Sequence, residues 1–186
     1  MLIAQQKRKE NIAEYLLYLW QVEDMLRACD LDMDRVEAAL VSRYDVDDAK
    51  RHEIRDWYEN LVMMMHAEHL KDGGHLQICK NVLIRLNDLH SQLLHESDRF
   101  AQYSAAFYSA LPFIVELRAK AGDAAAPELE TCFNLLYGVM MLRLQGKSVS
   151  ESTQKAVTTV SYFIGMLAAY FKKDEEKPLF EPDADE

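Results

Sequence analysis

Glycine and proline are scarce in this sequence, which has six glycines and four prolines among 186 residues. The chain also lacks an Asn-Gly pair, and its single Asp-Gly pair, Asp72-Gly73, lies between two segments of helical apolar spacing. Tight β-hairpins therefore have little sequence support. A chain so poor in turn-forming residues and rich in leucine, alanine, methionine and glutamate is typical of long helices joined by short loops.

The sequence also lacks an apolar run long enough for a signal peptide or a membrane span. Its three cysteines, Cys29, Cys79 and Cys132, are an odd number without paired spacing, and each falls in a helical apolar pattern. This usage excludes a disulfide scaffold and favours buried, reduced thiols. We therefore expect a soluble protein of the cytoplasm.

Basic residues are fewer than acidic residues, and the formal net charge is -10. Residues 174–186 hold seven acids against Lys177 alone, so this tail contributes -6. The only basic run, Lys7 to Lys9, is followed at once by Glu10. Such a chain repels a phosphate backbone on average, so nucleic-acid binding is not expected. The first helix has acids and few cations on its polar side, which argues against binding to an anionic membrane surface.

Apolar residues recur at steps of three and four along most of the chain, which is the spacing of amphipathic helices. The predicted helices cover residues 6–29, 33–43, 48–70, 75–95, 99–121, 127–146 and 148–173. Pro112 predicts a break of the fifth segment into two short helices, because proline has no N–H to donate and its ring crowds the preceding turn. The sixth segment is apolar nearly all round and is therefore predicted to lie in the middle of the fold.

These patterns predict an all-α fold, an antiparallel bundle of six to seven helices. The bundle is expected to be a single domain over residues 1–173. Residues 174–186 have little to bury and are predicted to form a mobile acidic tail.

Four stretches of the sequence are the basis of a resemblance to a known family: "IAQQKRKENIAEYLLYLWQVEDMLRA", "GHLQICKNVLIRLNDLH", "ALPFIVELRAKAG" and "ELETCFNLLYG". They resemble an uncharacterised, all-helical, bacterial family of domains of unknown function, along the whole body from Met1 to about Lys173. The resemblance implies a soluble helical protein of bacterial origin. It implies no activity, cofactor or catalytic residue.

Histidines concentrate in residues 63–81, where His66, His69 and His75 accompany Glu68 and Cys79. His66 and His69 are three residues apart and can share a helix face, so a metal ion with a third ligand is one interpretation. The spacings of the known helical zinc motifs are absent, however. We therefore predict a solvated helix C-terminus and no metal site, with the three histidines as the alternative ligand set.

Motifs that would indicate a reaction are also missing. No Glu-x-x-His pair of the di-iron bundles occurs, and no P-loop, G-x-G-x-x-G, G-x-S-x-G or C-x-x-C. We expect no cofactor, and catalytic activity is not favoured.

Polar residues on inward helix faces are the remaining candidates for a site. Asn87 and His90 share a face of the fourth helix, while Arg118 and Arg143 each continue an apolar stripe. A buried guanidinium needs a partner, and the candidate carboxylates are Glu23, Asp88 and Glu130. If the four side chains converge, they could line a pocket for a small anionic ligand. The alternative is that each is a structural ion pair or a side chain reaching solvent.

The leading functional hypothesis is a non-enzymatic protein that acts by binding another protein or a second copy of itself. It is based on the lack of reaction motifs together with more apolar helix faces than a small bundle needs. The rival hypothesis is a small-molecule binder or an enzyme with a pocket between helices, where His90 would serve as acid or base and Arg118 or Arg143 would hold the anion.

Overall fold

A computed structural model describes residues 2–180 of the chain. Eight α-helices and two short 3₁₀ turns account for most of this part, and it contains no strand. The helices are α1 (Leu2–Glu10), α2 (Ile12–Ala28), α3 (Met33–Ala39), α4 (Asp48–Ala67), α5 (Gln77–His95), α6 (Ala101–Ala121), α7 (Glu128–Leu144) and α8 (Glu151–Glu176). The 3₁₀ turns cover Val41–Arg43 and Gly122–Ala124. The prediction of an all-α helical bundle is confirmed.

The helix count exceeds the predicted six or seven because the first predicted helix is divided at Asn11. The Asn11 side-chain oxygen accepts a hydrogen bond from the backbone N–H of Ala13, at 3.0 Å. An asparagine that binds the backbone two residues ahead favours a helix start over a helix interior. The sequence signal was therefore the asparagine itself, which lies between two well-patterned helical segments.

Carboxylates start two of the helices. Asp32 accepts the N–H of Arg35 and caps α3, and Asp47 accepts the N–H of Lys50 and caps α4. Each carboxylate satisfies a backbone donor that would otherwise lack a partner and lies at the positive end of the helix dipole.

Contacts divide the chain into two compact units, residues 1–9 with 14–82 and residues 10–13 with 83–186. In the first unit, α3 packs against α4 and against the turn Val41–Arg43. The buried side chains of this unit include Leu16, Trp20, Leu26, Val36, Tyr58, Met65 and Leu76. The prediction of one domain over residues 1–173 stays a prediction.

In the second unit, α6, α7 and α8 pack against one another. The inner face of α8 is buried and holds Val157, Val160, Phe163, Ile164, Leu167 and Phe171. The expectation that α7 lies in the middle of the fold stays a prediction. Its first turns are buried, but its last residues from Met140 onward are half-buried or exposed, and Leu144 is 64% exposed.

Pro112 lies inside α6 without breaking it, so the predicted division into two short helices was wrong. The proline is exposed, and the carbonyl it leaves without an N–H partner belongs to Tyr108, whose side chain is also exposed. Water can satisfy a carbonyl on that side of the helix. Burial of Phe107, Ala110 and Ile114 on the opposite face favours a continuous helix.

The last helix, α8, begins and ends three residues later than the predicted segment 148–173. It continues through Glu176, and the Asp174 side chain accepts the backbone N–H of Leu179 at 2.8 Å. Arg99 donates to the carbonyl of Leu179 at 3.0 Å, and the ring of Phe180 lies 5.6 Å from that of Phe100. The remainder of the predicted acidic tail, residues 181–186, lies outside the described residues.

Replacing the helix-interior proline tests this account of α6. Pro112→Ala restores a backbone N–H donor and removes the ring, and both changes stabilise the helix. The substitution also gives the unfolded chain more conformational freedom, which offsets part of that gain. We therefore expect the free energy of unfolding to rise by about 2 kcal/mol. Urea unfolding followed by far-ultraviolet circular dichroism measures it. A decrease in stability would show that the proline ring makes contacts that outweigh the lost hydrogen bond.

Candidate functional site

His90 lies in the core of the second unit, not at a surface. It is 7% exposed, its Nδ1 is 2.6 Å from the Tyr103 hydroxyl, and its ring makes edge contacts with Phe107 and Phe163. Burial lowers the pKa of His90 to about 4, because the apolar surroundings disfavour the charged ring. The imidazole is therefore neutral at pH 7.

The other three predicted ligand-binding residues have separate partners. Asn87 donates to the carbonyl of Leu83 in its own helix at 2.8 Å. Arg118 lies 3.7 Å from the Glu128 carboxylate, and Arg143 donates to the side-chain oxygen of Gln154 at 2.6 Å. Neither arginine is paired with one of the three carboxylates that the sequence offered as candidates.

Two surface depressions of the second unit lie elsewhere. One of about 420 Å³ is bordered by Glu10, Asn11 and one side of α8, including Gly165 and Lys172. The other, of about 370 Å³, is bordered by Arg99 and by residues near Lys177 at the end of α8. None of the four predicted ligand-binding residues lines either depression. The anionic-ligand role of Asn87, His90, Arg118 and Arg143 stays a prediction.

Glu23 is the most buried charged group of the first unit, with 1% of its surface exposed. Its carboxylate accepts the backbone N–H of Leu76 at 2.9 Å and the Cys79 thiol at 3.4 Å, and Nδ1 of His75 lies 2.6 Å away. The ring of His75 also stacks on Trp20, with centroids 4.1 Å apart. The buried carboxylate thus holds the start of α5 against α2 through three donors.

Arg27 holds the same loop one helical turn further along α2. Its Nε donates to the carbonyl of Leu70 at 3.0 Å, and a terminal nitrogen donates to the carbonyl of Gly74. Its other terminal nitrogen pairs with Asp24 at 2.8 Å. The loop between α4 and α5, which contains His69 and His75, is therefore tied to α2 by the carboxylate of Glu23 and the guanidinium of Arg27.

The three histidines of that stretch do not come together. Nε2 of His66 lies 3.3 Å from the carbonyl of Leu31, and His75 is paired with Glu23. His69 has a φ of 56° just after α4, a left-handed conformation common where helices end. Within residues 2–180, no three histidine, cysteine, aspartate or glutamate side chains are arranged so that they could hold a metal ion.

Cys79, Glu23 and His75 have the residue types of a cysteine nucleophile with its base and its orienting acid, but the geometry differs. The thiol donates to Glu23 and not to the imidazole. It has no exposed surface, and burial together with the Glu23 charge raises its pKa. A protonated, inaccessible thiol cannot attack a substrate. The cluster is structural.

Sequence reasoning missed the role of Glu23, which was considered only as a partner for arginine. The signal was present, because Glu23 lies among Leu16, Leu19 and Leu26 on the apolar face of α2. An acid at such a position is buried and needs donors. The sequence did not indicate which donors it would find, because they belong to a loop about 50 residues away.

An apolar stripe runs along the outer face of α6. Its members are exposed and follow one another at steps of four and three residues: Ala101, Ala105, Tyr108, Pro112, Val115 and Ala119. Tyr108 is 62% and Val115 57% exposed. The opposite face of α6 is buried. The helix therefore has two apolar faces, of which the fold of the second unit covers one; we call the other the α6 stripe.

The buried carboxylate predicts a large effect of one substitution. Glu23→Ala removes the acceptor for three donors, and we expect the free energy of unfolding to fall by about 3 kcal/mol. Glu14→Ala is the matched control, because Glu14 is exposed and its ion pair with Lys7 should be worth less than about 1 kcal/mol. Equal losses in chemical denaturation would contradict the role given to Glu23.

The low pKa of His90 predicts a pH dependence of stability. The unfolded chain binds a proton at His90 below about pH 6.5 and the folded chain only below about pH 4, so folding stability falls as the pH is lowered between these values. From pH 7 to pH 5 the loss from this group should be about 2 kcal/mol. The variant His90→Asn should lack this part of the loss. The variant His52→Asn, at an exposed histidine, should retain it.

Comparison with known proteins identifies a family and no function. The family model described as Domain of unknown function (DUF4924) matches residues 1–178. No curated protein and no solved structure matches the chain. No helix of the described residues is long and apolar enough to cross a membrane. The match covers nearly the whole chain and confirms the resemblance drawn from the sequence: the protein belongs to the DUF4924 family of domains of unknown function.

Proposed function

We propose that this protein acts without catalysis, by associating with another protein chain or with a second copy of itself through the α6 stripe. The observation that carries the proposal is the exposure of Tyr108 and Val115 within an unbroken line of apolar side chains. Single exposed apolar residues are ordinary on protein surfaces. A continuous line of them along a whole helix is typical of an interaction surface.

The spacing of the stripe supports a helix as the binding element of the partner. Steps of four and three residues keep the six side chains in line with a repeat of 3.5 residues, which is the seam of a coiled coil. Polar residues flank the seam without lying in it, Ser109 and Glu116 on one side and Arg118 on the other. A second helix can therefore lie along α6 without burying a charge.

The chemistry of the buried polar groups agrees with a non-enzymatic role. His90 is neutral and in the core, Cys79 is protonated and inaccessible, and Glu23 has three donors. A general acid, base or nucleophile must reach a substrate. These groups are used to hold the fold.

The alternative function, a pocket for a small anionic ligand, has less support. It needs Arg118 and Arg143 to converge near His90, and each of the three has a different partner. The Arg143 side chain is on the surface beside Gln154, whereas His90 is in the core.

A bacterial source and a cytoplasmic location are part of the same proposal. The source is based on the sequence resemblance. The location is supported by Cys29, Cys79 and Cys132, which are all buried and free, as suits a reducing compartment.

The proposal predicts that charge on the α6 stripe abolishes association. Immobilised Tyr108→Glu/Val115→Glu protein should lose the partners, or the second copy, that the unsubstituted protein retains from a lysate of its source organism. Tyr162→Glu/Ile84→Glu is the matched control, since these residues are similarly exposed, at 64% and 54%, and lie on α8 and α5. The control should retain them. If both variants bind as the unsubstituted protein does, or if that protein retains nothing from the lysate and also fails to self-associate at high concentration, the proposed function is wrong.

A further inference from the structure

We infer that the occupant of the α6 stripe is the α6 stripe of a second copy of this chain, packed antiparallel about a two-fold axis at the level of residue 110. The inference deepens the function proposed above and depends on it. Two properties of the stripe point to a second copy: the order of large and small side chains and the charge of its flanks. The area it offers sets the strength of the association.

The order of side-chain sizes makes the stripe complementary to itself. When two copies of α6 run in opposite directions about residue 110, Tyr108 of one copy faces Pro112 of the other, Val115 faces Ala105, and Ala101 faces Ala119. Each of the two large side chains therefore meets a smaller one, and the two small ends meet each other. Alternation of large and small residues across a helix pair is what close packing requires. In a parallel pair, by contrast, Tyr108 would meet Tyr108 and Val115 would meet Val115.

The flanks of the stripe permit the same arrangement. No charged residue occurs between Ala101 and Val115. In the antiparallel register, Glu116 lies near Gln102 of the other copy and Arg118 near its Ser104, so like charges do not oppose each other. A chain of net charge -10 repels its own copies over most of its surface. The uncharged stripe is a place where two such chains can approach closely.

The area of the stripe determines how strong the association should be. Its six residues span about 27 Å of helix, and a contact about 10 Å wide then covers about 270 Å² on each copy. Stable interfaces cover about 800 Å² on each partner. The dimer should therefore be weak, forming at high concentration and not as an obligate species.

Sedimentation equilibrium over a concentration series tests the occupant. We expect a reversible monomer–dimer equilibrium that tightens severalfold as salt screens the negative charge of the two chains. Tyr108→Glu/Val115→Glu should weaken it by about tenfold or more. Tyr162→Glu/Ile84→Glu should leave it unchanged. A monomer at every concentration, or equal weakening by both pairs, would overturn the second-copy proposal; lysate capture that remains dependent on the stripe would then leave the proposed function intact with a different partner.

Single cysteines test the orientation, because the three native cysteines are buried and should not react with a maleimide. In the antiparallel register the two copies of residue 109 are offset by about 3 Å along the helix and the two copies of residue 102 by about 24 Å. A short bismaleimide should therefore join Ser109→Cys chains and not Gln102→Cys chains. In a parallel pair both variants would be joined, and that result would overturn the register. Circular dichroism checks that both variants are folded; the substituted side chains are exposed.

Discussion

Burial of one face of α8 against α6 and α7 is the interaction on which the second unit depends. Phe163 and Leu167 have no exposed surface, and Tyr103 and Phe107 of α6 meet Phe163 across the helix pair. Removing such aromatic surface from water makes a large favourable contribution to the folding of the unit. The same packing fixes the orientation of α6 and leaves its apolar outer side directed away from the core.

The first unit adds a polar constraint. Glu23 and Arg27 occupy adjacent turns of α2, and together they bind the loop from Leu70 to Leu76 through its backbone and through His75. Buried polar groups of this kind contribute little net stability, but they select one arrangement, because any other leaves a charge without donors. The residue types that resemble a catalytic or metal centre in the sequence are thus used to position a loop.

Much of the fold could be predicted from the sequence, because amphipathic spacing and capping carboxylates are local signals. Asp32 and Asp47 mark helix starts whatever the tertiary structure. Pro112 could not be judged locally: its effect depends on whether the carbonyl one turn earlier meets water or protein, and that is decided by the packing of the opposite face. The burial of individual faces of α7 and α8 has the same cause, since apolar composition alone does not say which face of an apolar helix is covered.

The candidate site was less accessible to sequence reasoning. The inward position of His90 was predicted, but its partner Tyr103 lies on another helix and could not be identified from spacing. The α6 stripe, in contrast, is fully visible in the sequence as a second apolar line at steps of four and three. The sequence does not show which of the two apolar lines of α6 is buried by the fold.

The packing of Phe180 against Phe100 limits where this chain can be shortened. Composition alone suggests a cut after Lys173, where the acidic residues begin. Such a cut would remove the Asp174 carboxylate, which binds the backbone of Leu179, and the Phe180 ring, which packs against Phe100. It would leave an exposed apolar patch beside the α5–α6 turn. A fragment that ends at Lys173 would aggregate more readily than the chain of 186 residues, although most of the residues removed are charged.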